Sequence, residues 1–162
     1  MAHPRGGDWL EGEVHAWLTA GVGLVVSLLE SSEVMELDLE AEQSLSLRGG
    51  IDFISFPIPD RGIPTSRSEV LELVERLKNS VLRGDHIAIH CRVGIGRSSM
   101  VAAMVLISLG AESAGVFQLI SKARGLEVPD TPEQAQYALT FGMDPDRLKF
   151  ITKNSLRPFP AK

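Results

Sequence analysis

The sequence predicts an α/β domain: a central, mostly parallel sheet flanked by helices, with helices dominating the C-terminal half. Three observations predict it. Short apolar runs at 22–29, 51–58 and 86–90 alternate with longer segments whose apolar residues recur at helical spacing. The valine-rich run 22–29 is continuously apolar, as in a strand covered on both faces. The 162 residues, 44% hydrophobic and 23% charged, suit one folded domain rather than two or a disordered chain.

The elements follow in order. In WLEGEVHAWLTAG (9–21), Leu10, Val14, Trp17 and Leu18 share a helical face that ends at Gly21. VGLVVSLL (22–29) is a buried strand, and MELDLEAEQSLSL (35–47) reads as a helix with a weak apolar face. IDFISFPI (51–58) is a strand that ends where Pro57 and Pro59 break the ladder, and 59–66 is a loop. Ser66 and Glu69 then fit a capping box for a helix over 67–82, with Val70, Val74, Leu77 and Val81 on one face. HIAIH (86–90) is a third strand. Helices follow at 98–109, 112–125 and 131–142. A single domain over 1–150 is expected, with 151–162 as a tail that frays or lies on the surface.

Composition narrows the functional classes. A net charge of −5 without a block of like charges argues against nucleic acid or an anionic membrane as main partner. The most apolar stretch, 100–110, is about half of the ~20 residues a membrane span needs. The opening MAHPRGGDWLEGE has no apolar core and does not read as a secretory signal. A single cysteine permits no intrachain disulfide and fits a reducing, cytoplasmic setting. Oligomeric state is left open.

That cysteine carries the chemistry. In IHCRVGIGRSS (89–99) it stands at the end of a strand, before a glycine-bearing loop and a helix. Arg92, Val93, Gly94, Ile95 and Gly96 separate Cys91 from Arg97. Such a loop turns its backbone N–H groups inward as a nest for an anion, and the helix N-terminus behind it adds partial positive charge. Arg97 can fork onto two oxygens of one phosphate. The same field favours Cys91 as thiolate, so the sulfur is placed to attack and the loop to hold an oxyanion. A plain buried cysteine in a strand-to-helix turn is the alternative. Neither a nucleotide P-loop nor a dinucleotide glycine motif fits, because no G-x-x-x-x-G-K-[ST] occurs and Ser99 stands where the third glycine would be.

Sheet topology supplies a second residue. The strand at 51–56, the helix at 67–82 and the strand at 87–90 form a β-α-β unit with parallel strands. Asp60 follows the first strand and Cys91 the second, so both are expected outside the carboxyl ends of the sheet, in one crevice. Asp52 and Asp85 lie at the opposite strand ends. Asp60 followed by Arg61 and Gly62 also suits a simple turn.

His90-Cys91-x5-Arg97-Ser98 resembles the signature of the cysteine-dependent protein tyrosine phosphatase superfamily, H-C-x5-R-[ST]. Its form HCxxGxGRS looks most like the dual-specificity branch. The likeness runs from about 25–30 to 132–137, two-thirds of the chain. It implies a protein phosphatase acting through a phosphocysteine without metal or other cofactor, on a phosphorylated protein or peptide. FPIPDRG (56–62) looks like the family's acid loop, with Asp60 as general acid, although the tryptophan of the larger phosphatases' W-P-D is replaced by Ile58-Pro59. Ser98 would donate its hydroxyl to the departing sulfur, or serve as a helix N-cap. His90 is expected to be hydrogen-bonded into the scaffold. Thr131-Pro132-Glu133-Gln134 fits a capping box, while the family places a water-positioning glutamine at such a helix start.

Substrate class follows more loosely. The only tyrosine is Tyr137, so the pocket wall of the tyrosine-specific enzymes is not evident, and a shallower site for phosphotyrosine, with phosphoserine and phosphothreonine as further candidates, is expected. Lipid phosphatases of the superfamily often carry two lysines in the loop; here Arg92 and Ile95 give one basic residue. A phosphoinositide phosphatase and a rhodanese-like sulfurtransferase remain the alternatives.

Overall fold

The computed structural model describes residues 1–141. The end of the expected domain, the last residue of the expected helix 131–142 and the tail 151–162 lie outside them. Among the described residues, three parallel strands form one sheet in the order β2-β1-β3: β1 (Val22–Ser27), β2 (Asp52–Ser55) and β3 (His86–His90). Val25 pairs with Phe53 on one side and Ala88 on the other. β2 and β3 therefore run parallel but are not neighbours, because β1 lies between them. Parallel strands need a crossover, and here it spans the central strand. What the site requires is kept: the carboxyl ends of all three strands share one edge.

Alternate residues of β1 face opposite sides, and helices cover both. Leu24, Val26 and Leu28 pack with Val70, Val74 and Leu77 of α4 (Arg67–Leu82), Met100 and Met104 of α5 (Arg97–Ser108), and Ala138 and Phe141 of the last described helix (Pro132–Phe141). Val25 and Leu29 pack on the other face with Leu10, Val14 and Trp17 of α1 (Leu10–Thr19) and with Ile51. The continuous apolar character of β1 reflects this double covering.

The Glu69 N–H donates to Ser66 Oγ at 3.4 Å, capping α4. Val81, expected on its buried face, is 40% exposed; Leu71 and Leu73 are buried instead. The helix expected over 35–47 is replaced by two: α2 (Ser31–Glu36) and α3 (Glu42–Arg48). Between them Asp38 adopts a left-handed backbone (φ 53°), which stops α2 and lets Leu39 turn into the core at 2% exposure. Aspartate tolerates that conformation better than most residues. The segment 112–125 opens with a 3-10 turn, Ser113–Gly115, before α6 (Val116–Arg124), and Pro132–Phe141 is α7. Among the described residues, no helix is long and apolar enough to cross a membrane.

Candidate active site

At the carboxyl edge of the sheet lies a cavity of about 270 Å³, lined by Asp60, Arg61, the loop from Cys91 to Arg97 except Gly94, Asp130 and Gln134. Residues 31 positions apart are thus brought to one pocket, as the parallel strands require. The rival aspartates are elsewhere: Asp52 opens β2, and Asp85 precedes β3 and pairs with Arg83 at 2.8 Å.

Cys91 follows β3 directly and is buried. The Gly94 N–H points at its sulfur from 3.3 Å, and Ser98 Oγ lies 3.6 Å from it. Ser98 is inside α5, whose N-cap is Gly96, so it caps nothing; its hydroxyl is left for the sulfur. Gly94 has φ 79°, and any Cβ there would collide with Met1 and Ala2. Those residues form a parallel bridge beside the loop, with the Cys91 N–H donating to the Met1 carbonyl at 3.3 Å. Arg124 grips the loop from the other direction, donating to the Gly94 carbonyl at 3.0 Å.

Arg97 is 2% exposed, and both of its terminal nitrogens donate hydrogen bonds. Nη1 donates to Glu33 at 2.6 Å and to the carbonyls of Leu28 and Ile58, and Nη2 donates to Glu33 at 2.8 Å and Asp60 at 3.0 Å. A planar guanidinium held on both edges has its orientation fixed before a ligand arrives. Burial alone would raise the Glu33 carboxyl; the hydrogen bonds from Arg97 and from the Glu30 N–H (3.0 Å) outweigh it and hold the carboxyl below the usual range. For Arg97, burial likewise opposes the charge, and Glu33 more than offsets it, raising the guanidinium further.

Glu33 is a residue that sequence reasoning missed. It belongs to an acidic series spaced at helical intervals. Glu30 accepts from the Asp60 N–H at 3.3 Å, Glu33 holds Arg97, and Glu36 pairs with Arg92 through two contacts of 2.9 and 2.5 Å. The spacing E-x-x-E-x-x-E was visible, but a solvated helix face reads the same way.

Asp60 sits in a tight turn closed by the Gly62 N–H donating to the Pro59 carbonyl at 2.9 Å, with Arg61 at φ 56°. Its side chain is 59% exposed, so one edge meets solvent while the other meets Arg97. Gln134 is fully buried. Its N–H donates to Thr131 Oγ1 at 3.2 Å, the first half of the expected capping box. Its side chain does not reach back to complete the box. It crosses to donate to the Gly62 carbonyl at 3.1 Å, and its Oε1 has no hydrogen-bond partner.

His90 is completely buried and stacks on Trp17 with ring centroids 6.3 Å apart. Its Nε2 lies 2.8 Å from Glu42 Oε1, but off the direction a ring N–H bond needs, and neither ring nitrogen has a hydrogen-bond partner. The expected hydrogen-bonded anchor is instead a stacked ring beside a buried carboxylate.

The fold is shared with solved phosphatases. Kinase-associated phosphatase, with its catalytic cysteine replaced by serine, superposes with a TM-score of 0.78 at 20% identity, over 97% of this chain and 86% of that one. Tk-PTP in its active form gives 0.64 at 24% identity, over 95% and 88%. PTPMT1, solved in complex with PI(5)P, gives 0.70 at 18%, over 95% and 91%. No curated protein matches by sequence. A family model described as "Tc-R-P: Polymorphic toxin system, DSP-PTPase phosphatase" matches residues 1–111, from the first residue through the cysteine loop and α5. The chain therefore belongs to that family of dual-specificity-type protein tyrosine phosphatases.

Proposed function

We propose that this phosphatase hydrolyses phosphotyrosine in proteins or peptides, and phosphoserine or phosphothreonine where they reach the sulfur, through a phosphocysteine intermediate and without metal. The observation that carries this is the convergence of Cys91, Arg97 and Asp60 on one cavity, with the Gly94 N–H aimed at the sulfur.

In the first step the Cys91 thiolate attacks phosphorus and the bond to the leaving oxygen breaks. Asp60, as carboxylic acid, gives that oxygen its proton. Arg97 and the N–H groups of Arg92 to Gly96 stabilise the equatorial oxygens as charge develops. In the second step water attacks the phosphocysteine, the Asp60 carboxylate takes a proton from it, and the sulfur leaves as thiolate with the Ser98 hydroxyl donating to it. Gln134 orients that water: it is buried at the pocket wall with an unpaired carbonyl oxygen. A thiolate nucleophile works only while reduced, which supports a cytoplasmic setting.

Hydrolysis of a small aryl phosphate in excess EDTA tests the reading. Wild type should turn over, Cys91→Ser should be inactive, and Asp60→Asn should fall by about 10²–10⁴-fold. Activity that survives in Cys91→Ser, or that EDTA abolishes, overturns it. Sulfur transfer from thiosulfate without phosphate release would instead establish the sulfurtransferase alternative. Gln134→Ala should slow phosphocysteine breakdown more than its formation, seen as a larger burst of aryl alcohol before the steady state; a proportional fall in both steps would remove Gln134 from the mechanism.

A further inference from the structure

Three arginines line the pocket, and each is already matched by a carboxylate. Arg97 holds Glu33 and Asp60. Arg61 lies 3.3 Å from Asp130. Arg92, beside the nucleophile, forks onto both oxygens of Glu36. Within these pairs three guanidinium groups face four carboxylates, and Arg124, donating to the Gly94 carbonyl, is a fourth cation beside the loop.

We propose that this pairing restricts the site to phosphomonoesters whose scissile phosphoryl group has no second anion beside it, and that Glu36 is the residue setting the restriction at the pocket mouth. The inference rests on the phosphatase reading above. A phosphoryl group seated in the loop is neutralised by the N–H nest and Arg97. A second phosphate or carboxylate a few ångströms away needs a cation of its own. Arg92 is placed to supply one, since it belongs to the loop and its side chain is 35% exposed. Its fork is instead occupied by Glu36, whose own carboxylate repels the newcomer. A phosphotyrosine with neutral neighbours brings no second anion, whereas a doubly phosphorylated peptide does.

Glu36, rather than the other carboxylates, carries the restriction for physical reasons. Glu33 is buried against Arg97, so removing it disturbs the primary phosphate site itself. Asp130 meets Arg61 through one longer contact on a largely exposed side chain. Glu36 is the last residue of α2 and 60% exposed, so its truncation opens no cavity and leaves the Glu33 grip in place. The Arg92 guanidinium holds the Glu36 carboxyl below the usual carboxylate range, so the pair stays ionised through neutral pH.

The test compares kcat/KM on three substrates: a small aryl phosphate, a phosphotyrosine peptide with neutral neighbours, and the same peptide bearing a second phosphotyrosine nearby. The enzymes are wild type, Glu36→Ala, Arg92→Ala and the double variant. Wild type should prefer the singly phosphorylated peptide. Glu36→Ala should raise the doubly-to-singly phosphorylated ratio by about fivefold, an effect of the size that one exposed charge pair produces. It should leave the aryl phosphate within about twofold, as for other exposed substitutions. The gain should vanish in the Arg92→Ala background and shrink with added salt. An unmoved ratio, a gain that persists without Arg92, or a wild type that prefers the doubly phosphorylated peptide or a bisphosphorylated inositol lipid overturns the inference while leaving the phosphatase reading intact. Failure of every enzyme on the aryl phosphate overturns that reading, and this inference with it.

Discussion

Arg97 shows what residue chemistry alone decides. Its place five residues beyond Cys91 was legible, since loop length and glycine positions are local properties. Its partner Glu33 was not, because 64 residues separate them and either residue alone reads as a solvated charge. Glu33→Ala leaves a buried guanidinium with only the largely exposed Asp60 carboxylate as ion-pair partner and should destabilise the protein by about 3–5 kcal/mol. Chemical denaturation would measure this, with Glu33→Gln retaining part of the loss. The pair also sets a pH dependence. The folded-state pKa of Glu33 lies below its unfolded value, so its contribution to stability is fully present above the ordinary carboxylate pKa of about 4.3. It is lost as pH falls from there through the lowered folded value. Stability of wild type should therefore drop more steeply with acid than that of Glu33→Gln, and parallel curves would contradict this. Gly96 makes a sharper geometric claim: a Cβ there would stand 2.5 Å from Gln134 Oε1 and 3.0 Å from the Asp130 Cβ. Gly96→Ala should push the loop and the start of α7 apart, lowering kcat/KM on an aryl phosphate.

Among the elements, legibility tracks how much local pattern each contains. Helix α4 carries its own cap and sixteen residues of amphipathic spacing, and its bounds matched expectation. Ser66→Ala should cost about 1 kcal/mol in a thermal or denaturant melt. Helices α2 and α3, of six and seven residues, are too short to be stable alone, so their existence depends on what they pack against. The break between them rests on Asp38 at positive φ, with its carbonyl accepting from the Gly7 N–H at 2.9 Å. No glycine or proline marks that break in the sequence, which is why 35–47 reads as one helix. Asp38→Val puts a β-branched residue in the left-handed region and should lower stability by about 1–2 kcal/mol. Because α2 also carries Glu33, which holds Arg97, the same substitution should reduce activity beyond its effect on the folded fraction.

For the whole molecule, the sheet couples the core to the site. Leu77 is fully buried in the cluster that joins β1, α4, α5 and α7. Leu77→Ala should cost about 2–5 kcal/mol, read from the denaturation midpoint, while leaving the loop arginines paired. The sequence by itself determined the α/β class, the parallel direction of the strands, and the cysteine loop with its arginine, because apolar periodicity and loop spacing are written within a few residues of each other. It also brought Asp60 to the edge that carries Cys91, since any parallel arrangement of those two strands does so. Only the tertiary structure decided that β1 stands between β2 and β3, that Gln134 turns from its own cap toward Gly62, and that three glutamates of one short segment meet the acid loop and two arginines. Those choices are settled by contacts between residues far apart in the chain, where burial and charge pairing outweigh local preference.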